Sequence, residues 1–252
     1  MAAHLAPIAS PPVFQSIRRP NFPGFVSLND ERIVKVAPVA KFLVNSSSPN
    51  PKIHVHLVDG TFLNDIDGVL VGTGYRPYPD FIRVLNVSRE DGNQTVAPLV
   101  SPPTTPPRIP SLHRHILYAY NPSLAFINAP MTFTPFTLAD VGSTWLALAW
   151  TGNIPYPDTV EGRLAFELER IKIIEKRTEE FGGNPTAFLN YMVLGPDEQL
   201  YAQGLKDDVA EARKDLKDVL PEWSDEKIRL REAMSSVKLD ALKYLKDNPG
   251  SI

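Results

Sequence analysis

Alternating apolar and polar residues predict a β-hairpin in the first quarter of the chain. Every second residue of Ile53–Leu57 is apolar, and Asp59-Gly60 then supplies a tight-turn signal before Thr61–Leu63. This order is typical of two antiparallel strands joined by a short turn. A second strand-like run, Ile33–Val44, is interrupted by Pro38.

A continuous apolar run predicts a strand of a different kind. Ile66–Val71 is short and rich in β-branched residues, and it enters the glycine turn Gly72–Tyr75. Such a run favours a parallel strand that is buried on both faces in an α/β sheet. Further along, His115–Tyr118 and Leu124–Ile127 predict two short strands, and the proline-rich residues 86–110 predict a loop.

Apolar residues at helical spacing dominate the rest of the chain, from Leu138 onward. Leu138–Trp150 has the length and apolar character of a helix, and Asp158 with Glu161 forms a capping-box pattern that opens a helix ending near Phe181. Three more helices are predicted, from Asn184-Pro185 to Gly195-Pro196, over Asp207–Leu220 and over Ser224–Asp247. In the last of them the apolar residues keep helical spacing: Leu230, Met234, Val237, Ala241 and Leu245.

Composition divides the chain at the same place as the patterning. Of 25 prolines, 21 lie in residues 1–157, and the net charge changes from +2 there to −5 in residues 158–252. The sequence therefore predicts a loop or disordered lead-in over residues 1–23, an α/β region over residues 24–157 and a charged helical tail over residues 158–252. No internal repeat is present.

Charge and residue types exclude several classes of protein. A net charge of −3 argues against a nucleic-acid-binding protein, because such proteins carry a basic excess that neutralises phosphates. No apolar run is long enough to predict a membrane span, and Met1–Pro12 lacks the features of a secretory signal. With no cysteine, the chain has no disulfide and no thiolate ligand. We expect an intracellular, cytoplasmic protein.

Few residues predict chemistry by themselves. The pairs His54/His56 and His113/His115 each place two imidazoles on one face of a predicted strand, but no motif completes a metal site, so none is predicted. Gly72-Thr73-Gly74 begins like the dinucleotide fingerprint G-x-G-x-x-G, yet Pro77 occupies the third glycine position. For the apolar-helix residues Trp145 and Trp150, core packing is the favoured interpretation.

Four segments in order resemble the flavin-containing monooxygenases, in particular their fungal-type members. These segments are IDGVLVGTGY at 66–75, HILY with NPSLAFI at 115–127, PFTLAD at 135–140 and WTGNIPYP at 150–157. The resemblance covers about residues 20–160. It implies FAD and NADPH as cofactors, and it places near them Gly72, Thr73, Gly74, Tyr75, Asn128, Pro135 and Asp140.

The chain departs from that family at several positions. Asn128 replaces a glycine, and Asp140-Val141-Gly142 replaces a Glu-x-Gln segment, which removes an amide near the flavin. Both glycine-rich phosphate-binding motifs, which require backbone N–H groups at a helix N-terminus, are absent. The fold class is therefore α/β, as the C-terminal part of a flavoprotein with two dinucleotide-binding domains: an incomplete parallel sheet and a β-hairpin, followed by a helical region.

The resemblance implies an enzyme that uses NADPH, FAD and oxygen to oxygenate a soft nitrogen or sulfur atom of a small amine or sulfide. No acid or base can be assigned to a side chain, and the isolated chain is expected not to be competent. An incomplete sheet also predicts self-association through its exposed edge. The alternative is a non-catalytic truncated paralogue that acts as an interaction protein.

Overall fold

The computed structural model describes residues 2–17, 28–44, 49–72, 78–87, 92–100, 104–182 and 189–248. In these ranges the strands are β1 (Val13–Ser16), β2 (Ile33–Val36), β3 (Val39–Val44), β4 (Ile53–Leu57), β5 (Phe62–Ile66), β6 (Arg83–Val87), β7 (Gln94–Pro98), β8 (Leu112–His113) and β9 (Leu117–Tyr118). The α-helices are α1 (Ala2–Leu5), α2 (Pro135–Trp150), α3 (Val160–Glu180), α4 (Glu198–Ala212) and α5 (Asp225–Asp247). The fold is thus mixed α/β with small sheets. Among the described helices, none has both the length and the apolar composition that crossing a membrane requires.

The chain divides into two compact units, one of residues 1–74 with 228–252 and one of residues 75–227. In the first unit, β3, β4 and β5 form an antiparallel sheet in that order. The predicted hairpin is confirmed, because the Asp59 carboxylate accepts a hydrogen bond from the backbone N–H of Thr61 at 3.0 Å and Gly60 takes a φ of +85°. The interruption at Pro38, between β2 and β3, is confirmed too.

The buried parallel strand expected over Ile66–Val71 is wrong. Strand β5 ends at Ile66, and Leu70 and Val71 are 61% and 72% exposed. A parallel strand needs cover on both faces, and these side chains have none. Within the described residues the parallel pairing is instead between β1 and β2, from Val13 opposite Ile33 to Ser16 opposite Val36.

Two segments that were expected to be loops contain strands. Helix α1 and strand β1 lie within the predicted lead-in of residues 1–23, where backbone pairing with a distant strand stabilises a sequence that has no periodicity of its own. Likewise β7 lies inside the loop predicted over residues 86–110 and pairs in antiparallel fashion with β6, most of which precedes that loop. Leu85 and Val96, paired across these strands, are more than half exposed, whereas Val84 on the other face packs against a buried cluster that includes Leu99 and Val100. The predicted domain boundaries at residues 23 and 157 stay predictions.

The core of the second unit forms between α2 and α4. Helix α2 buries Val141 and Trp145 completely, and α4 buries Leu205 and Val209 against them. The indole N–H of Trp145 donates a hydrogen bond to the Asp208 carboxylate at 2.8 Å. Trp145 is therefore a core residue as expected, whereas Trp150 at the end of α2 is 53% exposed.

Helix bounds in the tail agree with the sequence at some points and differ at others. Helix α3 is capped by Thr159, whose hydroxyl accepts from the Gly162 N–H at 3.1 Å, one residue after the predicted Asp158. Helix α4 begins at Glu198, well before the predicted start at Asp207. The helix predicted from Asn184 begins outside the described residues, and residues 189–194 of its range are not helical. Helix α5 is confirmed.

Candidate functional site

The structure separates the predicted site residues. Thr73, Gly74 and Tyr75 lie outside the described residues, and Gly72 is an exposed residue of the first unit. The other three, Asn128, Pro135 and Asp140, lie together in the second unit, on the loop before α2 and on its first turns. The candidate site is built from this segment, residues 127–140.

A tight chain reversal leads into the site. The Asn121 side-chain oxygen accepts hydrogen bonds from the N–H and the hydroxyl of Ser123, at 3.2 and 2.6 Å, which is the pattern of an Asx turn. After the turn, the Tyr118 N–H donates to the Leu124 carbonyl, and Leu117 forms an antiparallel bridge with Ala125. Of the two predicted strands, the first is reduced to β9, and the second is not a strand, because Ala125 alone forms an isolated bridge.

Asn128 fixes the loop that follows. Its φ is +57°, a left-handed conformation that favours glycine and that asparagine tolerates better than most residues. Its side-chain amide donates a hydrogen bond to the Pro135 carbonyl oxygen at 2.9 Å. Two predicted site residues are thus in contact. The family that the chain resembles has glycine at the position of Asn128, the residue with the left-handed φ.

The two residues just before α2 are held by a buried carboxylate. Glu198, which is fully buried, accepts hydrogen bonds from the N–H groups of Phe133 and Thr134 at 2.6 and 3.1 Å and a short one from the Thr134 hydroxyl. The described residues hold no cation paired with Glu198. The positive end of the α2 dipole therefore stabilises its charge. Sequence analysis did not single out Glu198, because its partners lie more than sixty residues away and no local pattern marks it.

Apolar side chains surround this loop on the surface. Phe136, next to Pro135, is 86% exposed, and Met131 is 57% exposed. Ile127 and Phe133 are 40% and 36% exposed. We call Ile127, Met131, Phe133 and Phe136 the loop patch. These side chains suit contact with a planar apolar ring system, because aromatic side chains favour stacked and edge-on contacts with other rings.

The first turns of α2 place Asp140 outward and Gly142 inward. Asp140 is exposed, and its backbone carbonyl accepts hydrogen bonds from the hydroxyls of Ser143 and Thr144. Gly142 is buried, and a Cβ at this position would lie 3.9 Å from the side chain of Ile116. In this chain a side chain at position 142 would therefore begin in the core, away from the exposed face that carries Asp140.

The second histidine pair lies in the core and not on one face of a strand, so that expectation is wrong. Strand β8 ends at His113, and Arg114 and His115 take positive φ values of 49° and 56°. His113 and His115 are 8% and 1% exposed, and both rings contact Phe166 edge-on. Within the described residues no three His, Asp or Glu side chains are grouped closely enough to hold a metal ion.

Burial controls the protonation of this pair. Desolvation lowers the pKa of His115 to about 3, and desolvation together with the nearby Arg114 lowers that of His113 to about 4. The neighbouring Tyr191 hydroxyl is also buried, and desolvation raises its pKa. His113 Nδ1, His115 Nε2 and the Tyr191 oxygen have no hydrogen-bond partner among the described residues. The pair is a neutral core element.

The described residues do not fit the phosphates of a dinucleotide. A phosphate site at a helix N-terminus needs free backbone N–H groups with glycines beside them, whereas α2 begins with Pro135, which has no N–H group, and has no glycine in its first turn. A separate cleft in the first unit has about 260 Å³, below the range of small-molecule sites; it is lined by Gln15, Leu28, Asn29, Asp30, Ile33 and Lys35. Among the residues that the structure describes, the loop patch suits one part of such a cofactor, its ring.

One similarity to a curated protein bears on the site. A flavin-containing monooxygenase of Arabidopsis thaliana, FMO GS-OX4, is 27% identical to this chain over 132 residues. The aligned stretch covers 50% of this chain and 26% of the plant protein. No protein-family model matches the chain. The chain thus spans about a quarter of the length of this plant enzyme, and membership of the fungal-type subgroup stays a prediction.

Proposed function

We propose that this chain is a flavin-dependent monooxygenase-like protein and that residues 127–140 lie beside the flavin ring. One observation carries the proposal. Asn128 stands where the resembled family has glycine, and it takes the left-handed φ of +57° that glycine allows. The similarity to the plant enzyme over 132 residues supports the flavin monooxygenase-like class.

In this proposal the loop patch contacts the ring and the Asn128 side chain holds the Pro135 carbonyl in position. FAD and NADPH are the proposed cofactors, and a small amine or sulfide is the proposed substrate. Bound flavin would supply the oxygen-transfer chemistry. The chain's own residues would contribute ring contact and water exclusion, and phosphate binding would come from residues other than the described ones.

The test compares a flavin that has phosphates with one that has none. Purified chain is titrated with FAD and with lumiflavin, and binding is followed by quenching of flavin fluorescence. Because we assign ring contacts alone to this chain, we expect both flavins to bind with affinities within about tenfold of each other. Phe136→Ser should weaken both, and Val219→Ser, which changes another exposed apolar residue, should weaken neither.

Turnover gives the second measurement. With FAD, NADPH and a thioether present, we expect no substrate-dependent NADPH oxidation above the free-flavin background, because the sequence lacks the glycine-rich phosphate-binding motifs and the described residues form no phosphate site. Substrate-dependent oxidation would contradict this part of the proposal. Failure of both flavins to bind would contradict the ring assignment and would favour the alternative, a non-catalytic interaction protein.

A further inference from the structure

The central strand of the β3–β4–β5 sheet carries two imidazoles on one face. His54 and His56 are separated by one residue of β4, and side chains two residues apart on a strand lie on the same side of the sheet. Both are partly exposed, whereas Val55 and Leu57, which alternate with them, are each only 4% exposed. The buried side therefore anchors the strand, and His54 and His56, the first histidine pair, lie on the side that solvent reaches.

A β-bulge lies directly opposite His54. The register of β4 against β5 shifts here by one residue, so Asn64 and Asp65 both stand opposite His54. Asp65 takes a left-handed φ of +59°, which aspartate adopts more readily than most residues. Bulges bend a strand locally and redirect its side chains. The extra residue of β5 thus changes which side chain lies beside the imidazole.

The Asn64 side chain orients the His54 ring. Its amide oxygen lies 3.1 Å from Nδ1 of His54. Because an amide oxygen only accepts hydrogen bonds, Nδ1 carries the proton of this one. The lone pair of the neutral ring is then on Nε2, where it can bind a metal ion. Histidines that bind metals commonly donate from their second nitrogen to an oxygen, which fixes the tautomer and the ring orientation.

His56 is positioned by an aromatic neighbour. Its ring contacts that of Phe62, the residue paired with it on β5, edge-on with 4.3 Å between the ring centroids. On β3 its paired residue is Lys41, which brings a positive charge to this end of the pair. Strand residues two apart are separated by about 6.7 Å, a spacing that allows each ring to supply one nitrogen at about 2.0 Å from a shared ion.

The ligand type selects the class of ion. Imidazole nitrogens suit Cu²⁺, Ni²⁺ and Zn²⁺, whereas Mg²⁺ and Ca²⁺ prefer oxygen ligands. The chain has no cysteine that would compete as a thiolate, and two of its five histidines, His113 and His115, are buried in the second unit. In the part of the chain that the structure describes, no third His, Asp or Glu is close enough to join the pair. The other coordination positions are therefore left to water.

We propose that the first histidine pair chelates a divalent transition metal ion, bound most tightly as Cu²⁺. Two imidazoles with solvent ligands make an exchangeable surface site, unlike the closed sites of four protein ligands that stabilise a fold. The proposal is independent of flavin binding, since none of its residues belongs to the candidate site.

The first experiment measures Cu²⁺ binding to the full chain by equilibrium dialysis. All chains carry His4→Ala, which removes the exposed histidine outside the pair. We expect one Cu²⁺ at the pair, and His54→Ala and His56→Ala should each weaken its binding by more than about tenfold. Asn64→Ala should weaken it by about tenfold, and Asn64→Asp, which keeps an acceptor oxygen for Nδ1, should restore it. Circular dichroism checks that each variant is folded.

Electron paramagnetic resonance identifies the ligands of the bound Cu²⁺. We expect couplings to the remote nitrogens of two imidazoles, and of one imidazole in each single histidine variant. Lys41→Glu should tighten binding several-fold, because it replaces a positive charge beside His56 with a carboxylate. Lys35→Glu makes the same charge change at an exposed position of β2 and, as the control, should alter binding by less than about twofold.

Three results would overturn the proposal: no Cu²⁺ retained in dialysis, binding that survives the loss of either histidine, or couplings from fewer than two imidazoles in the reference chain.

Discussion

The side-chain amide of Asn128 donates a hydrogen bond to the carbonyl oxygen of Pro135, at 2.9 Å, across a loop of six residues. The bond holds the first residue of α2 against a residue whose φ is +57°. Most residues other than glycine avoid this left-handed conformation. The hydrogen bond to Pro135, in turn, needs a short side chain that carries a donor. This pair is the most specific structural feature of the candidate site.

Substitutions at Asn128 separate the stability gained from its hydrogen bond from the stability lost through its left-handed φ. Asn128→Ala loses the hydrogen bond and keeps the left-handed strain, so we expect it to destabilise the chain by about 1–2 kcal/mol. Asn128→Val adds a β-branched side chain and should cost about 2–3 kcal/mol. Asn128→Gly loses the bond but relieves the strain, and it should stay within about 0.5 kcal/mol of wild type. Urea unfolding gives the free energies, and equal losses for alanine and glycine would contradict the strain argument.

Glu198 provides a second test, because it is a fully buried carboxylate that accepts hydrogen bonds from two backbone N–H groups and one hydroxyl. Glu198→Ala leaves these donors without a partner, so we expect a loss of about 2–4 kcal/mol in the free energy of unfolding. Glu198→Gln keeps one acceptor oxygen and should lose less. Glu211→Ala, at an exposed position on the same helix, is the control and should change stability by no more than about 0.5 kcal/mol. Equal effects at both glutamates would show that α2 does not need this carboxylate.

Two bidentate ion pairs, one partly buried and one exposed, allow a matched comparison. Asp197 binds Arg177 through two contacts of 2.6 and 2.8 Å and also contacts Arg170 at 2.5 Å, which joins α3 to the turn before α4. Asp215 binds Arg213 with similar geometry on the surface. Asp197→Asn should destabilise by about 2–4 kcal/mol, because the Arg170 guanidinium then stays buried without its counter-charge. Asp215→Asn should change stability by less than about 1 kcal/mol. The two urea unfolding curves decide the comparison, and similar losses would contradict the role assigned to burial.

Local signals explain which parts of the fold the sequence predicted. The Asp59-Gly60 turn, the apolar length of α2 and the spacing along α5 each depend on neighbours in the chain, and each predicted element is present. Strand β1 depends on pairing with β2, some twenty residues away, and had no local signal. The apolar run Ile66–Val71 carries a strong local signal, yet beyond Ile66, the last residue of β5, it pairs with no strand among the described residues.

The residues of the candidate site also differ in whether a local sequence signal predicts them. Asn128 and Pro135 were found through a resemblance between short motifs, and the structure brings them into contact. Glu198 was not found, since its role depends on a helix start more than sixty residues earlier. The histidine pair was assigned to a strand face because alternation alone does not reveal left-handed residues such as Arg114 and His115.

The buried histidines predict how stability depends on pH. Their folded pKa values, about 4 for His113 and about 3 for His115, lie below the ordinary value of 6.5. The unfolded state therefore binds more protons, so this stability is fully present above pH 6.5 and is lost as pH falls toward the folded values. Between pH 6 and 5 we expect each histidine to contribute a loss approaching 1.4 kcal/mol per pH unit.

A variant at His115 isolates its share of that slope. Asparagine tolerates the left-handed φ of 56° and does not titrate, so His115→Asn should reduce the slope of unfolding free energy against pH by about half. Phe166→Leu removes an edge-on contact to the same ring, which loosens the packing but keeps both imidazoles. It should lower stability at every pH without flattening the slope. Urea midpoints measured at half-unit intervals from pH 5 to 7 would distinguish these results. A wild-type slope in His115→Asn would mean that this imidazole takes up its proton without unfolding the core, and the desolvation argument for its pKa would then be wrong.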